Sequence, residues 1–266
     1  MTAVTLPGAR VLLTGASGGI GGAIARRLAG EGCRLVLTGR RAEVLEALAE
    51  EVGAEWLSID LADRDELDRL LRSAGEIDVL VANAALPATG RLARLARERV
   101  DGALEVNLRA PIALAHGVLP GMAGRGRGHL VFIGSLSGKA ATAGSSIYNA
   151  SKFGLRGFAL ALRAELAPVG IGVSLVAPGF VSEAGMYAAT QIKLPLGVST
   201  RTPEQVADAV VRAIVEDRAE IEVASLLMRL GAGFASAAPS LSAHASRALG
   251  GDRLAAEFER RQADRR

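Results

Sequence analysis

Cysteine occurs once in this chain, at Cys33, so no internal disulfide can form and no oxidising compartment is called for. Histidine is nearly as scarce. His116, His129 and His244 lie far apart and offer no metal-ligand spacing, so no metal is expected. Lysine stands only at 139, 152 and 193, and the rest of the positive charge is arginine. Those arginines are scattered among acids, without a basic stripe interleaved with aromatics, which argues against nucleic acid as a partner. Only Arg260, Arg261, Arg265 and Arg266 cluster, and a solvated tail accounts for them. The first residues hold no basic segment leading into an apolar one, so no signal peptide is expected and a cytoplasmic location is. Long hydrophobic runs are also missing. Ser225 to Leu249 is poor in charge, yet Arg229, Pro239, His244 and Arg247 interrupt it, so no transmembrane segment is expected.

What is present fits one large α/β unit. The chain has 266 residues, half of them apolar, and a net charge of only +3. Short apolar runs alternate with helical patterns. Strands are expected at Ala9–Leu13, Arg34–Thr38, Glu55–Ser58, Ile77–Ala82, Leu130–Gly134, Gly172–Ala177 and Glu220–Val223. Helices are expected after the first strand and over Ala42–Val52, Arg64–Ser73, Val100–Leu119, Tyr148–Ala167 and Pro203–Asp217. Repeated β-α-β units imply a doubly wound parallel sheet flanked by helices. No linker divides it. Residues 1–224 form the expected catalytic unit, and 225–266 a helical extension packing on it or on a partner subunit.

Chemistry concentrates in two places. Tyr148 and Lys152 are one helical turn apart, so phenol and ammonium project from one face. A phenol with a pKa of about 10 is a poor acid or base at neutral pH. A neighbouring ammonium favours its ionised form and pulls that value down. The hydroxyl of Ser135, thirteen residues earlier, suits holding a carbonyl or alcohol oxygen during proton exchange. Near the start, an apolar run leads into Thr14-Gly15-Ala16-Ser17-Gly18-Gly19-Ile20-Gly21 and then a helical pattern. Glycines there allow a tight turn, and the helix start offers free N–H groups to a pyrophosphate. The second strand ends Leu37-Thr38-Gly39-Arg40-Arg41, with no acid to bind a ribose 2′-OH. Arg40 offers a planar fork for a 2′-phosphate. The alternative is a solvent-facing arginine pair at a helix start.

With these motifs in this order, the chain resembles the short-chain dehydrogenase/reductase family over roughly residues 9–184. Asp60-Leu61 resembles the family's adenine-contacting pair, and Asn83-Ala84-Ala85 its Asn-Ala-Gly motif. Asn107 falls where the family keeps a helix asparagine. Pro178-Gly179 resembles the loop that closes on the nicotinamide, with Val181 beside it. The resemblance implies a Rossmann-like domain and a hydride-transferring oxidoreductase acting between an alcohol and a ketone. It implies a catalytic tetrad of Asn107, Ser135, Tyr148 and Lys152. Tyr148 would be the proton donor in reduction. Lys152 would tune it and bind the nicotinamide ribose, Ser135 would polarise the substrate oxygen, and Asn107 would anchor a proton-relay water. The cofactor site would comprise Gly15, Ser17, Gly18, Gly19, Ile20, Gly21, Arg40, Asp60, Leu61, Asn83, Ala84, Ala85, Tyr148, Lys152, Pro178, Gly179 and Val181. NADP is favoured over NAD because of Arg40, although Gly18 stands where NADP-preferring relatives often carry a basic residue.

Two residues depart from the family pattern: Ala85 replaces a usual glycine, and Glu183 a usual threonine at the nicotinamide. A small-molecule alcohol or carbonyl partner and a homodimer or homotetramer are expected. Proximity in sequence puts Leu136, Ser137, Ala141, Ser145 and Met186 at the pocket rim, and Lys193 near it. Three other readings stand beside this one. A sugar-nucleotide epimerase would need a larger C-terminal domain. A dinucleotide-binding regulator need not keep Tyr148 and Lys152. A membrane-associated reductase would use 225–249 to reach lipophilic substrates.

Overall fold

A computed structural model describes residues 4–182 and 198–248. Its centre is a seven-stranded sheet in the order β3-β2-β1-β4-β5-β6-β7, with every pairing parallel. The strands are β1 (Arg10–Thr14), β2 (Arg34–Gly39), β3 (Glu55–Ser58), β4 (Val79–Ala82), β5 (Gly128–Ile133), β6 (Ile171–Pro178) and β7 (Glu220–Val223). The inner strands β4, β5 and β6 are buried along their whole length, as expected for a sheet covered on both faces.

Helices α1 (Gly19–Gly30), α2 (Ala42–Val52) and α7 (Pro203–Val215) cover one face, burying Ile24, Leu28, Leu45, Val206, Val210 and Ile214. Helices α3 (Arg64–Ser73), α5 (Ala110–Arg125) and α6 (Ser146–Leu166) cover the other, burying Leu67, Leu70, Leu114, Leu155 and Leu162. Sheet order reverses between β1 and β4. In doubly wound sheets the crevice at the carboxyl ends beside such a reversal is where ligands bind.

Most expected elements form within a residue or two of their sequence limits. The helix expected over Val100–Leu119 does not run unbroken. It is α4 (Arg97–Leu104), a π-helical turn over Glu105–Arg109, and then α5. Asn107 lies at the centre of that π turn, and π turns inside helices concentrate at functional sites. Helix α7 stops at Val215, not Asp217, because Asp217 turns left-handed with φ of 47°. Its carboxylate there takes a forked bond from Arg163, at 2.7 and 2.9 Å.

The C-terminal region contributes α8 (Leu226–Ala237) and α9 (Pro239–Ala248). The inner side of α8 packs Met228 and Ala232 against Leu136, Ala140 and Ala224. Among the described residues, no helix is long and apolar enough to cross a membrane.

Candidate active site

One cavity of about 680 Å³ opens along the carboxyl ends of the strands. The turn between β1 and α1 forms its floor. Gly15 adopts φ of 67°, and a Cβ there would meet the Ala84 backbone at 2.8 Å. At Gly21 a Cβ would lie 2.1 Å from the Gly15 carbonyl oxygen, so only glycine lets α1 begin so close to the turn. Helix α1 starts bare. Gly18 caps it without a side-chain bond, and its first turn holds no acid. Its free N–H groups and positive dipole end therefore suit an anion.

The neighbouring loops hold this floor in place. The Asn83 amide donates to the carbonyls of Thr14 and Gly15, at 3.0 and 3.2 Å, and the Thr14 hydroxyl accepts from the backbone of Asn83 and Ala84. Asp60 caps its own loop by accepting from Ala62 N at 3.0 Å, while Leu61 is buried beside it. The two arginines after β2 behave differently. Arg41 donates to the Ser17 carbonyl. The guanidinium of Arg40, exposed on the cavity wall, pairs with no acid among the described residues.

Ser135, Tyr148 and Lys152 line the same cavity. Ser135 lies two residues past β5, where its hydroxyl caps the following turn by accepting from Ser137 N at 3.1 Å, and it acts on the Tyr148 phenol. Tyr148 is 9% exposed and Lys152 2%. The Lys152 ammonium donates to the Ile133 carbonyl at 2.9 Å and lies 5.8 Å from the Tyr148 ring centre. Burial pushes the lysine down to about 8. Burial also pushes the tyrosine up to about 12, with the Ser135 hydroxyl pulling the other way. The sequence-based expectation of a depressed tyrosine pKa is thus reversed in the protein alone. Loss of water around the phenol outweighs an ammonium that is itself desolvated and bonded to Ile133.

Asn107 does not line the cavity; its neighbour Val106 does. Its buried amide clamps the loop after β4, accepting from Leu86 N at 2.6 Å and donating to Leu86 O at 2.9 Å. Four residues on stands Pro111, which has no N–H to offer the Asn107 carbonyl. That carbonyl is therefore deprived of its ordinary helical donor.

Every residue expected to bind cofactor lies on the cavity wall, from Gly15 through Arg40, Asp60, Leu61, Asn83, Ala84 and Ala85 to Pro178, Gly179 and Val181. Of the expected rim, Leu136, Ser137 and Ser145 line the cavity. Ala141 does not: it is exposed, and Thr142, Ala143 and Gly144 stand in its place. Glu183, Met186 and Lys193 lie outside the described residues. Among the contributors missed from the sequence, two stand out. Asn149, next to Tyr148, ties the Ser137–Thr142 loop to α6, donating to Ser137 O at 2.7 Å and Ala140 O at 3.0 Å. Met228 enters the wall from α8.

The short chain dehydrogenase family model matches residues 9–193, well over half of the chain. The chain belongs to that family. Short-chain dehydrogenases are oxidoreductases whose cofactor is NADP or NAD, and the bare helix start and glycine floor fit the pyrophosphate of such a dinucleotide. Among curated relatives, a ketoacyl reductase HetN of Nostoc sp. is 38% identical over 228 residues, covering 82% of this chain and 79% of that one. A 3-oxoacyl-[acyl-carrier-protein] reductase FabG of Rickettsia conorii is 36% identical, covering 78% of this chain and 89% of that one. Among solved structures, an actinorhodin polyketide ketoreductase with NADPH superposes with a TM-score of 0.77 at 31% identity, covering 85% of this chain and 99% of that one.

Proposed function

We propose that this short-chain dehydrogenase is an NADP(H)-dependent reductase of uncharged ketones bearing an apolar arm. The observation that carries this reading is the meeting of Ser135, Tyr148 and Lys152 in one cavity with the glycine floor. When bound, the reduced nicotinamide supplies the hydride. Gly15, Ser17, Gly18, Gly19, Ile20 and Gly21 would hold the pyrophosphate, Asp60 and Leu61 the adenine, and Pro178, Gly179 and Val181 the nicotinamide end.

The protein supplies orientation and the proton. Ser135 donates a hydrogen bond to the substrate oxygen. A phenol raised to about 12 holds its proton at neutral pH and gives it up only to the far more basic oxygen that develops as the carbon is reduced. Lys152, as a cation, stabilises the phenolate that remains. Asn107 acts through its main chain: its carbonyl, facing Pro111, accepts from a water that returns the proton through Lys152 to Tyr148.

The charged groups of the cavity, Arg40, Arg41, Asp60 and Lys152, are the dinucleotide-binding and proton-transfer residues of this scheme. The remaining wall, with Leu86, Val106, Leu136 and Met228, is apolar apart from hydroxyls, which supports a neutral substrate. The HetN and FabG relatives, named as ketoacyl reductases, support a 3-oxoacyl compound within that class. Arg40 supports NADP, because a free fork on the cavity wall suits a 2′-phosphate. A homodimer or homotetramer is part of the proposal. The outward side of α6 carries Phe153, 41% exposed, and monomeric mass by light scattering at micromolar concentration would refute assembly.

The functional test is a panel of ketones and 3-oxoacyl thioesters with NADPH and NADH, followed by loss of reduced-nicotinamide absorbance. Turnover of apolar ketones with NADPH, abolished in Tyr148→Phe, is the expected result. No turnover of any member with either cofactor refutes the reading.

A further inference from the structure

We infer that Met228, on the C-terminal helix α8, sets the size of the apolar arm a ketone may carry. The inference rests on the proposed carbonyl reduction and assigns one wall of that site. Met228 is remote in sequence from every motif of the dinucleotide site, yet it lines the same cavity. A Cβ built on Gly179 would lie 2.9 Å from the Met228 methyl and 3.3 Å from its sulfur. The thioether therefore rests on the loop after β6, which lines the same cavity as Tyr148 and Ser135. Leu136, one residue after Ser135, packs in the same small cluster. Leu136 and Met228 are thus two apolar members of one stretch of cavity wall, which Leu136 joins to Ser135.

Helix α8 is anchored, so this wall has a defined position. Ala232, one turn beyond Met228, is 4% exposed in that cluster. Arg229 pairs with Glu222 of β7 at 3.0 Å, and Glu222 pairs with Lys139 at 2.6 Å. Lys139 also pairs with Glu220, and Glu220 with Arg156 of the helix that bears Tyr148. One chain of ion pairs thus ties the wall to the catalytic helix. Methionine is unbranched and polarisable, and it adapts to ligands of varied shape. A flexible aliphatic arm suits such a wall better than a rigid aromatic one.

The test compares wild type, Met228→Ala and Met228→Phe on a series of methyl ketones with progressively longer and bulkier arms, at saturating NADPH. A single methylene in an apolar pocket changes kcat/KM by about 10- to 200-fold. The ratio of kcat/KM for the bulkiest to the smallest ketone should therefore rise at least tenfold in Met228→Ala and fall at least tenfold in Met228→Phe. Equal ratios in the three proteins overturn the inference. Calorimetric binding of the same ketones to the enzyme–NADP+ complex reads the wall without turnover. An unchanged ranking of affinities there overturns the inference even if no ketone is reduced, whereas a changed ranking without turnover supports the wall and refutes only the proposed reaction.

Discussion

Replacing Lys152 by methionine should make the protein more stable at neutral pH while removing its activity. The side chain is 2% exposed, and burial lowers its pKa from 10.5 to about 8. That gap of about 2.5 pH units corresponds to roughly 3 kcal/mol. Below pH 8 the ammonium is charged in both the folded and the unfolded chain, so the whole cost of desolvating it falls on the folded state. Between pH 8 and 10.5 the folded chain has released the proton and the unfolded chain still binds it, so stability rises with pH. Above 10.5 both forms are neutral and the cost is gone.

Methionine removes the cost at every pH and fits nearly the same volume. It also loses the bond to the Ile133 carbonyl, a penalty of about 1 kcal/mol. The variant should therefore be about 2 kcal/mol more stable than wild type at pH 7, and about 1 kcal/mol less stable near pH 11. Urea unfolding midpoints at the two pH values read the crossover. A variant less stable at pH 7, or a difference that does not move with pH, would show that the buried ammonium is not under strain and would remove the pKa argument.

Other outcomes follow from the same site and from the sheet. Tyr148→Phe should lower kcat by about 10²- to 10⁴-fold with NADPH affinity retained, and turnover within a few-fold of wild type would remove the phenol from the proton step. Arg40→Asp should move the NADPH-to-NADH ratio of kcat/KM by at least tenfold, since a charged hydrogen bond is worth about 1.5–3 kcal/mol. Arg41, engaged with the Ser17 carbonyl, should compensate only in part. His129, buried between strands and bonded to Ser174 at 2.8 Å, is lowered to about 4 by burial, with Asp217 opposing. The unfolded chain binds its proton first as pH falls, so roughly 3 kcal/mol of stability should be lost between pH 6.5 and 4. His129→Gln should flatten that part of a pH series of urea midpoints, and an unchanged slope would refute the assignment.

The local chemistry of this fold reads well from the chain, and its long-range ties do not. Strand β3 and helices α2 and α3 form at the limits expected, because apolar period and caps are local signals. The glycine turn and the Ser135, Tyr148 and Lys152 constellation are likewise carried by short spacings. The break at Glu105–Arg109 escaped that reading because it depends on Asn107 reaching Leu86, across 21 residues. Pro111, four residues beyond, was the available sign. Met228 escaped because a methionine in an apolar helix carries no local mark of facing a cavity. The direction of the tyrosine pKa escaped because burial is a property of the folded surroundings, and spacing alone reports only the neighbouring charge.

The placement of Met228 separates two things this enzyme must encode. In the proposed reduction, proton transfer rests on Ser135, Tyr148 and Lys152, within eighteen consecutive positions of the chain. The wall beside them comes from a helix that follows the last strand of the sheet, so it can change without moving any strand. New substrate preferences can therefore arise by drift in a terminal helix while the reaction stays constant. In such a lineage, inheritance of the chemistry and divergence of the diet are written in different stretches of one gene.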